Sequence, residues 1–350
     1  MPRRRWIAIA VVLTVVAVAA GVVAWRVARD DDTRLSAALE LAPESSERFV
    51  WTDWAAVRAE LGADLDAASS GAEVEDFLLD AFDRDLLSGT ALAESAPTIQ
   101  EEMGFSPATV DWEMFSQGSK GAVVALGLPE DFDTAALRDR IRSIGFTDPR
   151  ERDGVWVGGV DVLETLGGPV TPELAALQID DEAGVLYGSD DPSFLEDRAD
   201  AARGDREDGV ARAVAAVGPS LSAVAYTGDH ACGQLSMAEA DPTERTRAAE
   251  LVEQAGGLHP LTGFAMSARA GGDVRVALTL DGEDQARADA DSRSRLAAGP
   301  APGQGGTFPE RFALGDVVAD GRVVTMDLTP VEGWSVLSDL SQGPVLFASC

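Results

Sequence analysis

Twenty consecutive residues, Trp6 to Trp25, carry no charge. A helix of that length rises about 30 Å, the thickness of a bilayer's hydrocarbon core. Trp6 and Trp25 stand at its two ends, where interfacial aromatic rings belong. Arg3, Arg4 and Arg5 favour a cytoplasmic N-terminus; Arg26 and Arg29 oppose this weakly, and Asp30 to Asp32 count for little. The expectation is a single-pass protein of the cell membrane. Residues 1–29 form an Arg-rich start and transmembrane anchor, and residues 30–350 lie outside the cytoplasm. The rival reading is a secretory signal peptide cleaved after Ala17-Val18-Ala19. The apolar run continues past that site, which favours an uncleaved anchor, and both readings export the rest of the chain. No cysteine lies near this segment, so a lipid-modified N-terminal Cys is excluded.

The exported part is strongly acidic. Residues 30–350 hold all 60 acids but only 23 of the 28 Lys and Arg, a net charge of −37. Such a surface repels nucleic acid and anionic headgroups, and it serves solubility. Hydrophobic residues make up 45% of the chain, enough to build real cores, which excludes disorder throughout. Lys120 is the only lysine and asparagine is absent, a bias that fits a GC-rich genome or high salt and leaves no glycosylation sequon.

Cys232 and Cys350 are the only cysteines. In an oxidising compartment the simplest state of an isolated pair is a disulfide. This one would close a loop of about 120 residues and pin the C-terminus to the body.

Residues 30–46 are polar and read as a tether. Phe49-Val50-Trp51 reads as a strand. Thr52 and Asp53 can cap the helix after it, with Trp54, Val57 and Leu61 on one face and Gly62 at its end. A second helix carries a stripe of Val74, Phe77, Leu78, Ala81 and Phe82. Hairpins follow around Gln117-Gly118-Ser119 and 181–184, with a helix capped near Asp133 and a strand at Val155–Val157 between them. Asp191 caps a short helix opening at Pro192. From Ser222 the pattern recurs: strand, helix from Asp241-Pro242, hairpin around Gly271-Gly272-Asp273, helix from Glu283, and hairpin around Asp320-Gly321. The implied class is α+β with largely antiparallel sheets and packed helices. It comprises two diverged repeats, a first half at 47–217 and a second at 218–350.

Three segments carry a family resemblance: Phe49 to Arg58 (FVWTDWAAVR), Gly303 to Phe308 (GQGGTF) and the ending Gly343 to Cys350 (GPVLFASC). They resemble exported, membrane-anchored actinobacterial proteins of uncharacterised function. The resemblance spans nearly the whole exported part. It implies localisation and no activity.

Chemical signatures are absent. His230 and His259 are far apart in sequence, and no HExxH spacing exists, so no metal site is expected. Neither a G-x-S-x-G elbow nor a phosphate-cradling glycine loop occurs. No cofactor and no catalytic residue is assigned. The carboxylate groups Asp180-Asp181-Glu182, Asp190-Asp191 and Asp289/Asp291 fit turns and caps better than Ca²⁺ ligation. Trp51 and Trp54, two large rings at a strand-to-helix junction, are the candidate pocket residues, although both also suit a plain core. The loop Pro300–Gly306 is a surface connection. The leading expectation is a non-catalytic envelope protein, held in the membrane through residues 6–25. It would bind a protein partner or an apolar envelope molecule (lipid or glycan) between its halves. The alternatives are a carboxylate-dependent extracytoplasmic hydrolase, metal-assisted or not, and a structural or regulatory anchor.

Overall fold

The structure is a computed structural model and describes residues 33–350. The anchor expected at residues 6–25 lies outside the described residues. Among those described, no helix is long and apolar enough to cross a membrane.

The strands are β1 (Arg48–Thr52), β2 (Trp112–Gly118), β3 (Gly121–Gly127), β4 (Val155–Val157), β5 (Ala176–Asp180), β6 (Val185–Ser189), β7 (Ser222–Thr227), β8 (Gly263–Ala268), β9 (Val274–Thr279), β10 (Phe312–Asp320) and β11 (Val323–Pro330). They form one antiparallel sheet in the order β10-β11-β9-β8-β7-β1-β2-β3-β6-β5-β4. The expected α+β class and antiparallel pairing are therefore present, in a single continuous sheet. At its centre β1 pairs with β7, Val50 opposite Val224.

Alternation along each strand sends side chains to two faces. Val50, Phe115 and Val124 form one cross-strand row. Their face carries two cores joined through Phe115. One lies under the helices Trp54–Leu61, Gly71–Asp83, Ala96–Glu102 and Thr134–Ser143. The other lies under Pro242–Ala255, Glu283–Ala297 and Val336–Leu340. Trp51, Met114, Ala125 and Tyr187 form the row behind it, on the face covered by the helices Arg34–Leu41 and Gly209–Val217.

Caps explain where most helices begin. Asp53 accepts from the Ala56 N–H, and Gly62 closes that helix in a left-handed conformation. Ser70 and Glu73 form a capping box. Asp133, Asp208 and Asp241 each cap the helix that follows. The helix Gly209–Val217 lies flat on Ala265 and Ala277 of β8 and β9. Small side chains permit that approach, and at the crossing the backbones themselves touch. A Cβ on Gly209 would stand 2.1 Å from the Thr262 carbonyl oxygen, so only glycine fits.

Two expectations need correction. Residues 30–46 do not form only a polar tether: Arg34–Leu41 is a helix capped by Thr33, and it buries Leu35, Ala38 and Leu39 against the sheet. Phe82 is not part of its helix's inward stripe; it is 61% exposed, with Leu79 beside it at 56%. Val74, Phe77, Leu78 and Ala81 already define the buried face. Phe82, eight residues after Val74, has drifted about 80° from it.

Candidate functional site

Trp51 and Trp54 do not share a pocket; they lie on opposite faces of the sheet. Trp51 points behind β1 and stacks on Trp112 at a centroid separation of 5.6 Å. Its Nε1 donates to the Ser220 carbonyl at 3.2 Å. Trp54 opens a helix that crosses to the other face, where it is fully buried. Trp54 is thus core, while Trp51 forms part of the floor of a cleft of about 410 Å³.

That cleft lies at the β1–β7 junction. Leu35, Trp51, Ala56, Pro219, Leu221 and Ala270 supply its apolar lining. Thr33, the first described residue, stands on its wall. On the rim Arg34 meets Asp53 at 3.5 Å, with 60% of the Arg34 side chain exposed. An exposed pair of this kind contributes little and can open. The cleft therefore offers an apolar floor beneath a movable charged rim.

On the opposite face of the junction lies a carboxyl that the sequence reading did not single out. Glu113 of β2 is buried among apolar groups. It accepts from Trp54 Nε1 (3.1 Å), the Thr90 hydroxyl (2.6 Å) and the Ala91 N–H (2.7 Å). Burial pushes its pKa up from 4.5 to about 7, against these three hydrogen bonds. It tethers the segment 88–92, whose Ser88 N–H also donates to the Ser222 hydroxyl at 3.0 Å. Just before it, Asp85 is the only non-glycine residue with positive φ among the described residues. Its carboxylate accepts from the N–H groups of Leu337 and Ser338 at 2.6 and 3.0 Å. A residue between β1 and β2 thus caps the helix Val336–Leu340, about 250 positions later in the chain.

Glu113 sets a pH dependence. A carboxyl with a higher pKa folded than unfolded binds its proton more tightly in the folded state. Its contribution is complete below about pH 4.5 and is lost as pH rises through about 7, a difference of about 3 kcal/mol. Denaturant titrations at pH 5 and pH 8, on the wild type and on Glu113→Gln, check this. The stability difference between wild type and variant should shift towards the variant by about 3 kcal/mol at the higher pH. A difference independent of pH would show that Glu113 does not titrate in this range.

The remaining candidates are held structurally. Cys232 and Cys350 are joined in a disulfide with a Cα separation of 5.3 Å. Asp180 pairs with Arg198 at 3.0 Å, and Asp181 with Arg138 and Arg152 at 3.0 and 2.9 Å. Asp191 caps the helix Pro192–Glu196. His259 Nδ1 meets Asp289 at 2.6 Å, and Asp289 also receives Arg293 Nε at 2.9 Å. His230 packs on the Tyr226 ring, and burial lowers its pKa. No cluster of three or more His, Cys, Asp or Glu poised for a metal occurs among the described residues.

No family model matches the chain, and no curated protein matches it. Among solved structures it is similar to TP0453. Crystal form I of that protein shares 8% identity at a TM-score of 0.37, covering 87% of this chain and 96% of the other. Crystal form III shares 10% identity at a TM-score of 0.40, covering 87% and 97%. Likenesses at this level carry no functional assignment.

Proposed function

We propose that the chain is a non-catalytic, membrane-anchored extracytoplasmic protein that binds an apolar envelope molecule in the cleft beside Trp51. The observation that carries this reading is the position of the cleft. Its lining is apolar, it takes residues from both 47–217 and 218–350, and its wall begins at Thr33, only eight positions after the uncharged run Trp6–Trp25. Eight residues span at most about 28 Å, so a membrane anchor at residues 6–25 would keep the cleft within that reach of the bilayer. Clefts at such junctions are common binding sites.

The reading includes a diverged internal duplication. Its support is the strand order on either side of the central pair: β1-β2-β3-β6-β5 outward in one direction and β7-β8-β9-β11-β10 in the other. In each run a single strand precedes a hairpin, and a second hairpin joins outside it with its later strand innermost. Only β4 has no counterpart.

A photoreactive residue placed at Ala270 and activated in cell membranes tests the binding reading. The expected product is an adduct with the mass of a lipid or glycolipid, lost when Ala56→Trp fills the cleft. A polypeptide adduct, or no adduct at equal expression, overturns it.

A further inference from the structure

A second cleft, of about 500 Å³, lies among the helices of the first half and shares no lining residue with the Trp51 cleft. Two guanidinium groups, Arg58 and Arg140, face it. Among the described residues, 13 of 22 arginines form an ion pair with a carboxylate. These two form no ion pair within 4.0 Å among the described residues. Each is instead braced by backbone carbonyls. Arg58 Nη1 donates to Pro107 and Val110, and Arg140 Nη1 to Glu101 at 3.2 Å. No other hydrogen bond engages either guanidinium among the described residues, which leaves the Nε and Nη2 donors of both free. Burial is the strongest influence on Arg58, ahead of the attraction of Asp111 and Asp53.

The backbone makes room for this arrangement. Gly104 has φ +80°, and a Cβ there would stand 3.2 Å from Arg140 Cδ and Nε. The partly exposed apolar lining is Leu65, Pro129 and Phe132, and Met103 and Leu137, which also line the cleft, are buried. Carboxylates are present too. Those of Asp66 and Asp133 accept from the N–H groups of their own turns, Ala68 and Ala136, and Asp131 stands exposed.

We propose that this cleft binds a small amphiphilic carboxylate, with its head on the free edges of Arg58 and Arg140 and its apolar body on Leu65, Pro129 and Phe132, next to the buried Met103. A planar guanidinium edge matches a carboxylate in bidentate geometry. The brace on Nη1 restrains each arginine before the ligand arrives, which lowers the ordering cost of binding.

The test uses the full chain in nanodiscs with ¹³C-labelled methionine methyl groups. Met103 is one of six methionines and is assigned through Met103→Leu. Hexanoate and hexanol, of equal chain length, are the two probes. Hexanoate should shift the Met103 signal with an affinity about tenfold above that of hexanol, roughly the worth of one charge-assisted contact. Met114, on the opposite face of the sheet, should not move. Arg140→Gln is the informative variant, because Arg58 also braces the 107–110 turn and its loss would disturb the fold. In Arg140→Gln the advantage of hexanoate should fall at least about threefold with the hexanol response unchanged. Equal responses to the two probes, no Met103 shift with hexanoate, or an undiminished advantage in Arg140→Gln would each overturn the proposal.

Discussion

Arg293→Met should lower the unfolding free energy by about 3–5 kcal/mol, the cost of breaking a buried ion pair by removing one partner. Arg293 is 0% exposed, in the helix Glu283–Ala297. Its Nε donates to Asp289 at 2.9 Å, its Nη1 to the carbonyls of Phe347 and Ser349 at 2.8 and 2.9 Å, and its Nη2 to the His259 carbonyl at 2.9 Å. One side chain thus gathers the C-terminal residues, the loop before β8 and a buried carboxylate. Methionine keeps much of the volume of the stem, so the loss reports on charge and hydrogen bonds, not on a cavity. Three carbonyls are left without their donor, and Asp289 keeps only His259 as a partner. Adding Asp289→Leu removes the stranded charge, so the double variant should be more stable than Arg293→Met alone. Equilibrium denaturation under oxidising conditions measures both. A loss under about 1 kcal/mol in the single variant would mean that the network is a consequence of the fold and not a support for it.

Very little of that network is visible in one dimension. The helix Glu283–Ala297 is rich in charge, and spacing does not single out Arg293: Arg287 and Arg295 also stand four residues from an acid, Glu283 and Asp291. Glu113 is comparable. Its one sequence signal is that it alternates with Trp112 and Met114 and so shares the face of Phe115, an acid on the apolar side of a strand. Burial made the difference in both cases, and burial depends on which elements meet. The hairpins were legible because their turns announce themselves: Gly271-Gly272-Asp273 and Asp320-Gly321 stand between runs of period two.

Two missed helices had readable signals. In Gly209–Val217 the cap Asp208 precedes Val210, Ala213, Val214 and Val217, which follow helical spacing. The charged run Asp205-Arg206-Glu207-Asp208 directly before it has the composition of a loop. In Arg34–Leu41, Thr33 is followed by Leu35, Ala38, Leu39 and Ala42 at the same spacing. The surrounding acids made that segment read as a tether. The separation of Trp51 and Trp54 follows from the fold. Asp53 ends the strand and caps a helix that passes to the other face, so three residues suffice to divide neighbours in sequence between two cores.

Replacing both cysteines by serine should cost about 4–5 kcal/mol in the chain-entropy argument, since the disulfide closes a separation of 118 residues. A cross-link of that span restricts the unfolded chain far more than it restrains the folded one. Cys350 is also placed by other contacts: Leu261 N–H donates to its Sγ at 3.4 Å, and Arg293 holds the Ser349 carbonyl one residue earlier. The folded C-terminus therefore has a second attachment, and the two can be separated by a double-mutant cycle. If the disulfide acts on the unfolded chain and Arg293 on the folded one, the two losses add to within about 0.5 kcal/mol. If both act by holding the last residues in place, the second loss is smaller once the first has freed the segment. A third arm, reduction of the wild type with a thiol reagent followed by denaturant titration, should reproduce the serine value, because it removes the cross-link without changing the packing of other side chains. A serine variant as stable as the oxidised wild type would show that Arg293 and the C-terminal packing around Phe347 suffice to close the chain on their own.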